Sequence, residues 1–206
     1  MNTFSASGSL KAGWELFKKR PGYLAAATLV ALIASWVINA IATGIGGHSL
    51  VATFINVLLG TFVGMGTVAF ALKAYEDPMK ADIKDLWHPQ QYVNYLLATI
   101  IVGICVAVGL VLLIVPGVIV AIMFSMAKFL VIDRNLKPMD AVKESMRITE
   151  GSRLELFILL LGVIAINFVG AIALFFGLLV SLPVSTLALV SAYRTLEQKA
   201  GAVVSV

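Results

Sequence analysis

The chain alternates between six long apolar runs and three short segments whose apolar and polar positions repeat with a helical period. The runs are Tyr23 to about Ile41, Leu50 to Tyr75, Tyr92 to Leu113, Val118 to Ile132, Leu154 to Gly177 and Pro183 to Leu196. Runs of this length predict helices that cross a hydrocarbon core about 30 Å thick. One unbroken helix over Tyr92–Ile132 would be roughly 60 Å long at 1.5 Å per residue, so the chain is expected to fold back near Pro116. An apolar turn ending at Pro183 is expected between the last two spans.

The periodic segments precede the first, third and fifth runs. The last is the clearest. Over Pro138–Gly151, Met139, Ala141, Val142, Ser145, Met146, Ile148 and Thr149 fall on one half of a helical wheel, and Asp140, Lys143, Glu144, Arg147 and Glu150 on the other. That pattern is an amphipathic helix; Pro138 suits its first turn and Gly151 its C′ position. Ser9–Arg20 predicts a shorter one with Ser9 as N-cap, grouping Leu10, Gly13, Trp14, Leu16 and Phe17. In Glu76–Pro89, Asp77 is expected to cap and Pro78 to start a helix with Met79, Ile83, Leu86 and Trp87 on one face. Such helices lie at a membrane surface with Lys and Arg near anionic lipid. Trp14, Trp87, Met139, Val142 and Met146 are therefore the candidate interface or partner face.

Composition agrees. The chain is 60% hydrophobic and 13% charged, against about 25% charged in a soluble domain. The fold class is thus an all-α integral membrane protein: six transmembrane helices as three helical hairpins, each preceded by a cytoplasmic amphipathic helix. The net charge of +4 does not indicate nucleic acid, because topology explains where the basic residues lie. All charges fall before span one, between spans two and three or four and five, after span six, or within a turn of those boundaries. The positive-inside rule then places both termini in the cytoplasm. The first run lacks a preceding cleavable-signal pattern and is expected to persist as the first span.

An internal repeat is expected. Leu10-Lys11-Ala12-Gly13-Trp14, Ile83-Lys84-Asp85-Leu86-Trp87 and Val142-Lys143-Glu144-Ser145-Met146 share an aliphatic residue, a lysine and a terminal Trp or Met. Each begins a unit of interfacial segment plus two spans, giving pseudo-repeats of about 9–75, 77–132 and 137–196 within one domain, 1–206. All three have the same orientation, unlike the inverted repeats of many transporters.

Candidate chemistry is sparse. No ionisable residue lies at mid-span, which argues against a proton-coupled transporter; Lys73 and Lys128 lie near span ends and can snorkel. Asn39, Asn56 and Asn167 are the candidate lining of a polar cavity, set against interhelical hydrogen bonding. Gly60 and Gly64 form a GxxxG pair expected to pack closely on another helix. His48 and His88 stand alone, and Cys105 reads as an inert core residue. No nucleophile triad, HExxH, P-loop or dinucleotide motif occurs. No cofactor or metal is expected, and no enzymatic activity.

Pro116-Gly117, then Asp133, then Ala141-Val-Lys-Glu-Ser-Met-Arg-Ile-Thr-Glu-Gly151 resembles six-helix prokaryotic membrane proteins of the YciC type, and the membrane domain found beside glycerophosphoryl diester phosphodiesterases. The resemblance implies a multi-pass protein of a bacterial or archaeal plasma (inner) membrane and no particular reaction. The expectation is a non-enzymatic lipid-interacting scaffold or accessory subunit, with membrane lipids and a cytoplasmic-side protein as partners and no nucleic acid. The alternative is a small-solute or lipid transporter or channel with a polar cavity between hairpins.

Overall fold

A computed structural model describes residues 4–46, 49–87, 89–173 and 176–204. The described residues form helices and turns without strands. They are α1 (Ala6–Lys19), α2 (Pro21–Gly46), α3 (Leu50–Glu76), α4 (Tyr92–Leu112), α5 (Ile114–Met123), α6 (Ala127–Arg134), α7 (Pro138–Thr149), α8 (Arg153–Ile172) and α9 (Phe176–Val204), with two short 3-10 turns between α3 and α4. Six helices are long and apolar enough to cross a membrane: α2, α3, α4, α5 with α6, α8 and α9. The chain is therefore a multi-pass membrane protein by length and composition.

Consecutive long helices lie side by side: α2 on α3, α4 on α5 and α8 on α9. Glycines let two of these pairs approach. A Cβ on Gly109 of α4 would lie 2.8 Å from the Gly117 Cα of α5, and one on Gly177 of α9 would lie 2.7 Å from the Gly170 Cα of α8. The break between α4 and α5 falls at Leu113, three residues before Pro116.

Large apolar side chains stay exposed on α2 (Leu29, Trp36), the first half of α3 (Leu50, Phe54), α4 (Ile104, Leu112) and α8 (Leu154, Phe168). These faces suit hydrocarbon rather than water. The buried core lies elsewhere. Met65–Leu72 of α3, Met126–Ile132 at α6 and Ala188–Leu196 of α9 contribute its main body, with Tyr193 wholly enclosed. This end of the bundle also gathers the ion pairs and is called the charged end below.

Four local expectations are corrected by tertiary contacts. First, α1 starts at Ala6, not after Ser9. The Glu155 carboxylate accepts from the Ala6 N–H at 3.0 Å, so an acid from α8 supplies the partner expected of a capping serine, and Ser9 is buried. Second, the segment after Pro78 is a turn followed by a 3-10 helix over Ile83–Leu86. Arg20 Nη1 donates to the carbonyls of Pro78, Met79 and Ala81 at 3.2–3.3 Å. Those are acceptors that a helix from Pro78 would have needed. Third, Pro183 lies inside α9 rather than in the turn before it. The chain turns between α8 and α9, where Gly170 and Gly177 meet. Fourth, the fourth span is interrupted: Phe124–Met126 form a turn between α5 and α6.

Candidate functional site

Acids at helix C-termini oppose the helix dipole and call for a cation. Glu76 is the last residue of α3 and Asp133 the penultimate residue of α6. Arg194 of α9 answers both. Its Nη1 and Nη2 each donate at 2.8 Å to one Asp133 oxygen, in the fork geometry that only guanidinium provides, and Nη2 donates at 2.7 Å to Glu76. The Tyr193 hydroxyl donates to Asp133 at 2.7 Å, and its ring stacks on Phe129. Glu197 accepts from Arg134 at 2.6 Å and from Arg194 at 3.3 Å. Arg134 also reaches Glu144 of α7 at 3.4 Å, and Glu144 accepts two bonds from Arg147 at 2.6 and 2.8 Å. Hydrogen bonding from Arg147 holds the Glu144 carboxyl below its ordinary range, against the opposing effect of its partial burial.

This network ties α3, α6, α7 and α9 together. Every carboxylate in it is engaged by a guanidinium. Among the described residues no group of His, Cys, Asp or Glu is placed to hold a metal ion. Sequence reasoning missed Tyr193, Arg194, Glu76 and Glu197 as a unit. The signal was two carboxylates at the wrong end of their helices.

Three connecting segments dock on the buried interior, two by close backbone approach and one through a buried hydroxyl. At α1, a Cβ on Gly13 would lie 2.5 Å from the Val184 carbonyl and 2.8 Å from the Ala188 nitrogen of α9. At the 83–87 segment, the Leu86 carbonyl sits directly on Gly66 of α3, where any Cβ would overlap it. The Tyr23 hydroxyl accepts from the Ile83 N–H at 2.7 Å, and Asp82 caps the turn by accepting from the Lys84 N–H. That bond leads the causes that hold Asp82 below the ordinary carboxyl range, burial opposing it. At α7, the Ser145 hydroxyl donates to the Met123 carbonyl at 2.7 Å and accepts from the Met126 N–H at 3.2 Å. These are the backbone groups that the interruption of span four leaves without helical partners. Ala141, Ser145 and Thr149 are fully buried, and Gly151 has φ +69°. The Ser145 hydroxyl of α7, with Thr149 Oγ1 donating to the same Met123 carbonyl at 3.5 Å, thus serves the break in α5–α6.

The candidate interface residues divide. Trp14, Trp87, Met139 and Met146 are exposed by 45%, 72%, 54% and 37%, whereas Val142 is 5% exposed. Val142 is a correction: it packs into protein with Ala141 and Ile148, because α7 lies against α4 and α6. Trp87 meets Phe62 edge-on, with ring centroids 4.9 Å apart.

The candidate cavity residues are dispersed. Asn167 Nδ2 donates to Ser185 of α9 at 3.0 Å, and its buried Oδ1 has no partner. Asn39 is exposed and Asn56 half-buried. None of the three lines the two grooves between α2 and α3. One, of about 250 Å³, has Thr28, Ser35, Gly60, Gly64, Thr67 and Thr186 in its wall; the other, of about 360 Å³, is apolar and bounded by Phe62, Leu86 and Trp87. The hydroxyls of Thr28, Ser35, Thr67 and Thr186 each donate to the carbonyl four residues back in their own helix. Gly60 has open space around it and Gly64 meets only the Tyr95 hydroxyl, so the GxxxG pair makes groove wall rather than a close helix contact. Lys73 pairs with Asp85 at 2.6 Å. Cys105 is half-buried on α4, and His48 and His88 lie outside the described residues.

Residues 89–200 match the family model described as "Protein of unknown function (DUF975)". That covers more than half of the chain, and the chain belongs to this family. No curated protein and no solved structure matches it.

Proposed function

We propose that this member of the DUF975 family is a non-enzymatic integral protein of a prokaryotic plasma membrane, a lipid-interacting scaffold or accessory subunit. The likeness to YciC-type proteins is in keeping with that. Its six spans form three hairpins in a threefold repeat, each introduced by a segment at the cytoplasmic surface, with both termini inside. The observation that carries the reading is the sidedness of the molecule. Ion pairs, docked connectors and buried core share one end, while apolar side chains cover the long helices toward the other. The grooves are walled by α2 and α3, and their hydroxyls are already bonded within their own helices. This supports contact with lipid over passage of a polar solute.

Reconstitution tests it. The purified protein in sealed vesicles should leave a trapped small solute and the distribution of labelled lipid between leaflets unchanged. Solute release or lipid scrambling that scales with protein content would replace this reading by the transporter one. Orientation is checked separately in cells. In a Cys105→Ala background, Ser49→Cys should react with an impermeant thiol reagent from outside and Lys137→Cys should not.

A further inference from the structure

Among the described residues seven lysines form no ion pair, and three of them, Lys11, Lys84 and Lys143, have a carboxylate close by in sequence that is bonded to another cation. Lys11 is followed by Glu15, but Glu15 bonds Lys18 at 2.7 Å. Lys84 is followed by Asp85, but Asp85 bonds Lys73 at 2.6 Å and also accepts from the Asp82 N–H. Lys143 is followed by Glu144, but Glu144 is taken by Arg147 and Arg134. Among the described residues none of the three lysines forms an ion pair, and all three are exposed. Each has an exposed apolar side chain three residues on: Trp14, Trp87 and Met146. In α1 and α7 that spacing sets the two about 60° apart, side by side across the boundary between the polar and apolar halves; in the third segment Trp87 caps the 3-10 turn that carries Lys84.

The three pairs stand on the three segments that dock by Gly13, by Gly66 and by Ser145. The docks meet the buried interior: Met126 at Ser145 and Ala188 at Gly13 belong to one cluster, while Val184 at Gly13 and Leu86 at Gly66 pack with a second one that includes Phe17, Leu24 and Phe70. Each pair is therefore held on a fixed support, so little ordering is left for binding to supply.

We infer that Lys11 with Trp14, Lys84 with Trp87 and Lys143 with Met146 are three docking positions for an anionic phospholipid. The ammonium takes the phosphate, and the apolar side chain enters the upper acyl region. The inference rests on the proposal that these segments lie at the membrane surface. Charge selects the occupant: a free cation beside an apolar group matches the phosphate–glycerol–chain sequence of a lipid with net negative charge. Tryptophan suits that boundary, and methionine is a deformable apolar filler. A lysine near an anionic surface favours it by a factor of roughly five.

Trp36→Phe leaves Trp14 and Trp87 as the fluorophores. That variant is placed in bilayers of phosphatidylcholine with a minority of phosphatidylglycerol, with brominated chains carried by one lipid or the other. Quenching by brominated phosphatidylglycerol should exceed its share of the bilayer by a few-fold and fall at high salt. Joint substitution of Lys11, Lys84 and Lys143 by Gln should abolish the excess, and their substitution by Arg should keep it. Equal quenching by both lipids, or an excess indifferent to salt and to the Gln substitutions, overturns the inference while leaving the segments at the surface. No quenching by either lipid removes the surface placement itself, and the inference with it. Single Lys→Gln variants and the salt series on the otherwise native chain serve if the triple variant does not fold.

Discussion

Ser145 closes the gap that Met123 leaves open: one hydroxyl on α7 donates to the Met123 carbonyl at 2.7 Å and accepts from the Met126 N–H at 3.2 Å. Both backbone groups face the interior, where an unpaired donor or acceptor costs about 1–3 kcal/mol. Ser145→Ala should therefore lower stability by about 2 kcal/mol, and Ser145→Val by more, because its second methyl has no room at a fully buried site. Thermal unfolding of the purified protein in detergent checks this. Equal stability of the alanine variant would show that the break in span four holds without α7.

Arg194 is the hub of the charged end. Its side chain is 20% exposed and that of Asp133 17%, between the surface regime and full burial. Arg194→Ala would leave Glu76, Asp133 and Glu197 without their shared cation and should cost about 2–3 kcal/mol, between typical surface and buried values. Arg194→Lys should recover little, since one ammonium cannot serve both Asp133 oxygens and Glu76. Unfolding midpoints of the two variants beside the native chain decide it; full recovery by lysine would mean that charge alone, without the fork, matters.

Glu144 gives the charged end an acid sensitivity. Its folded pKa lies below the ordinary carboxyl value of 4.5, chiefly through its bond to Arg147. A depressed pKa means that the native state binds its proton less readily than the unfolded one. The stabilisation is complete above the ordinary value and is lost as pH falls through the lowered one. Hydrogen exchange at the α7 amides should therefore show weaker protection in acid, and Glu144→Gln should flatten the part of that pH dependence that this carboxylate contributes. An unchanged slope in the variant would assign the acid sensitivity to other carboxylates.

Gly66 and Gly60 should respond differently to the same methyl group. Gly66→Ala would drive a Cβ into the Leu86 carbonyl, whereas a Cβ at Gly60 meets nothing within 4 Å. Overpacking of this kind costs typically about 1–3 kcal/mol. Gly66→Ala should expose the 77–87 segment to protease and loosen Trp87 from Phe62, seen as a change in tryptophan emission. Gly60→Ala should leave both unchanged. The opposite ranking would mean that Gly60 faces a partner and that the segment is not seated on Gly66.

What could be read from the letters follows from how each signal arises. Apolar runs report transfer free energy, a property of consecutive residues, so all six long helices were legible from Tyr23 to Leu196 without any knowledge of packing. The bounds of α7 were legible for a similar reason: Pro138 at its first position and Gly151 in the left-handed conformation after its end are local backbone preferences. The segment after Pro78 was not legible. Its pattern fits a helix, but Arg20 and Tyr23, about sixty positions earlier, take its backbone groups.

The asparagines show the same divide from the side of the candidate cavity. Their chemistry is visible in the sequence, but whether Asn39, Asn56 and Asn167 meet depends on helix rotation and on which helices are neighbours. Periodicity does not report either.

The sequence by itself determined the solvent, the number of long helices and the gathering of charge into alternate connectors, because each is a sum over neighbouring residues. Only the tertiary structure decided which helices the apolar half of α7 packs against, where span four breaks and which described lysines form no ion pair. Those outcomes turn on donors and acceptors brought together from distant parts of the chain, and such groups choose partners by position in space rather than by order along the backbone.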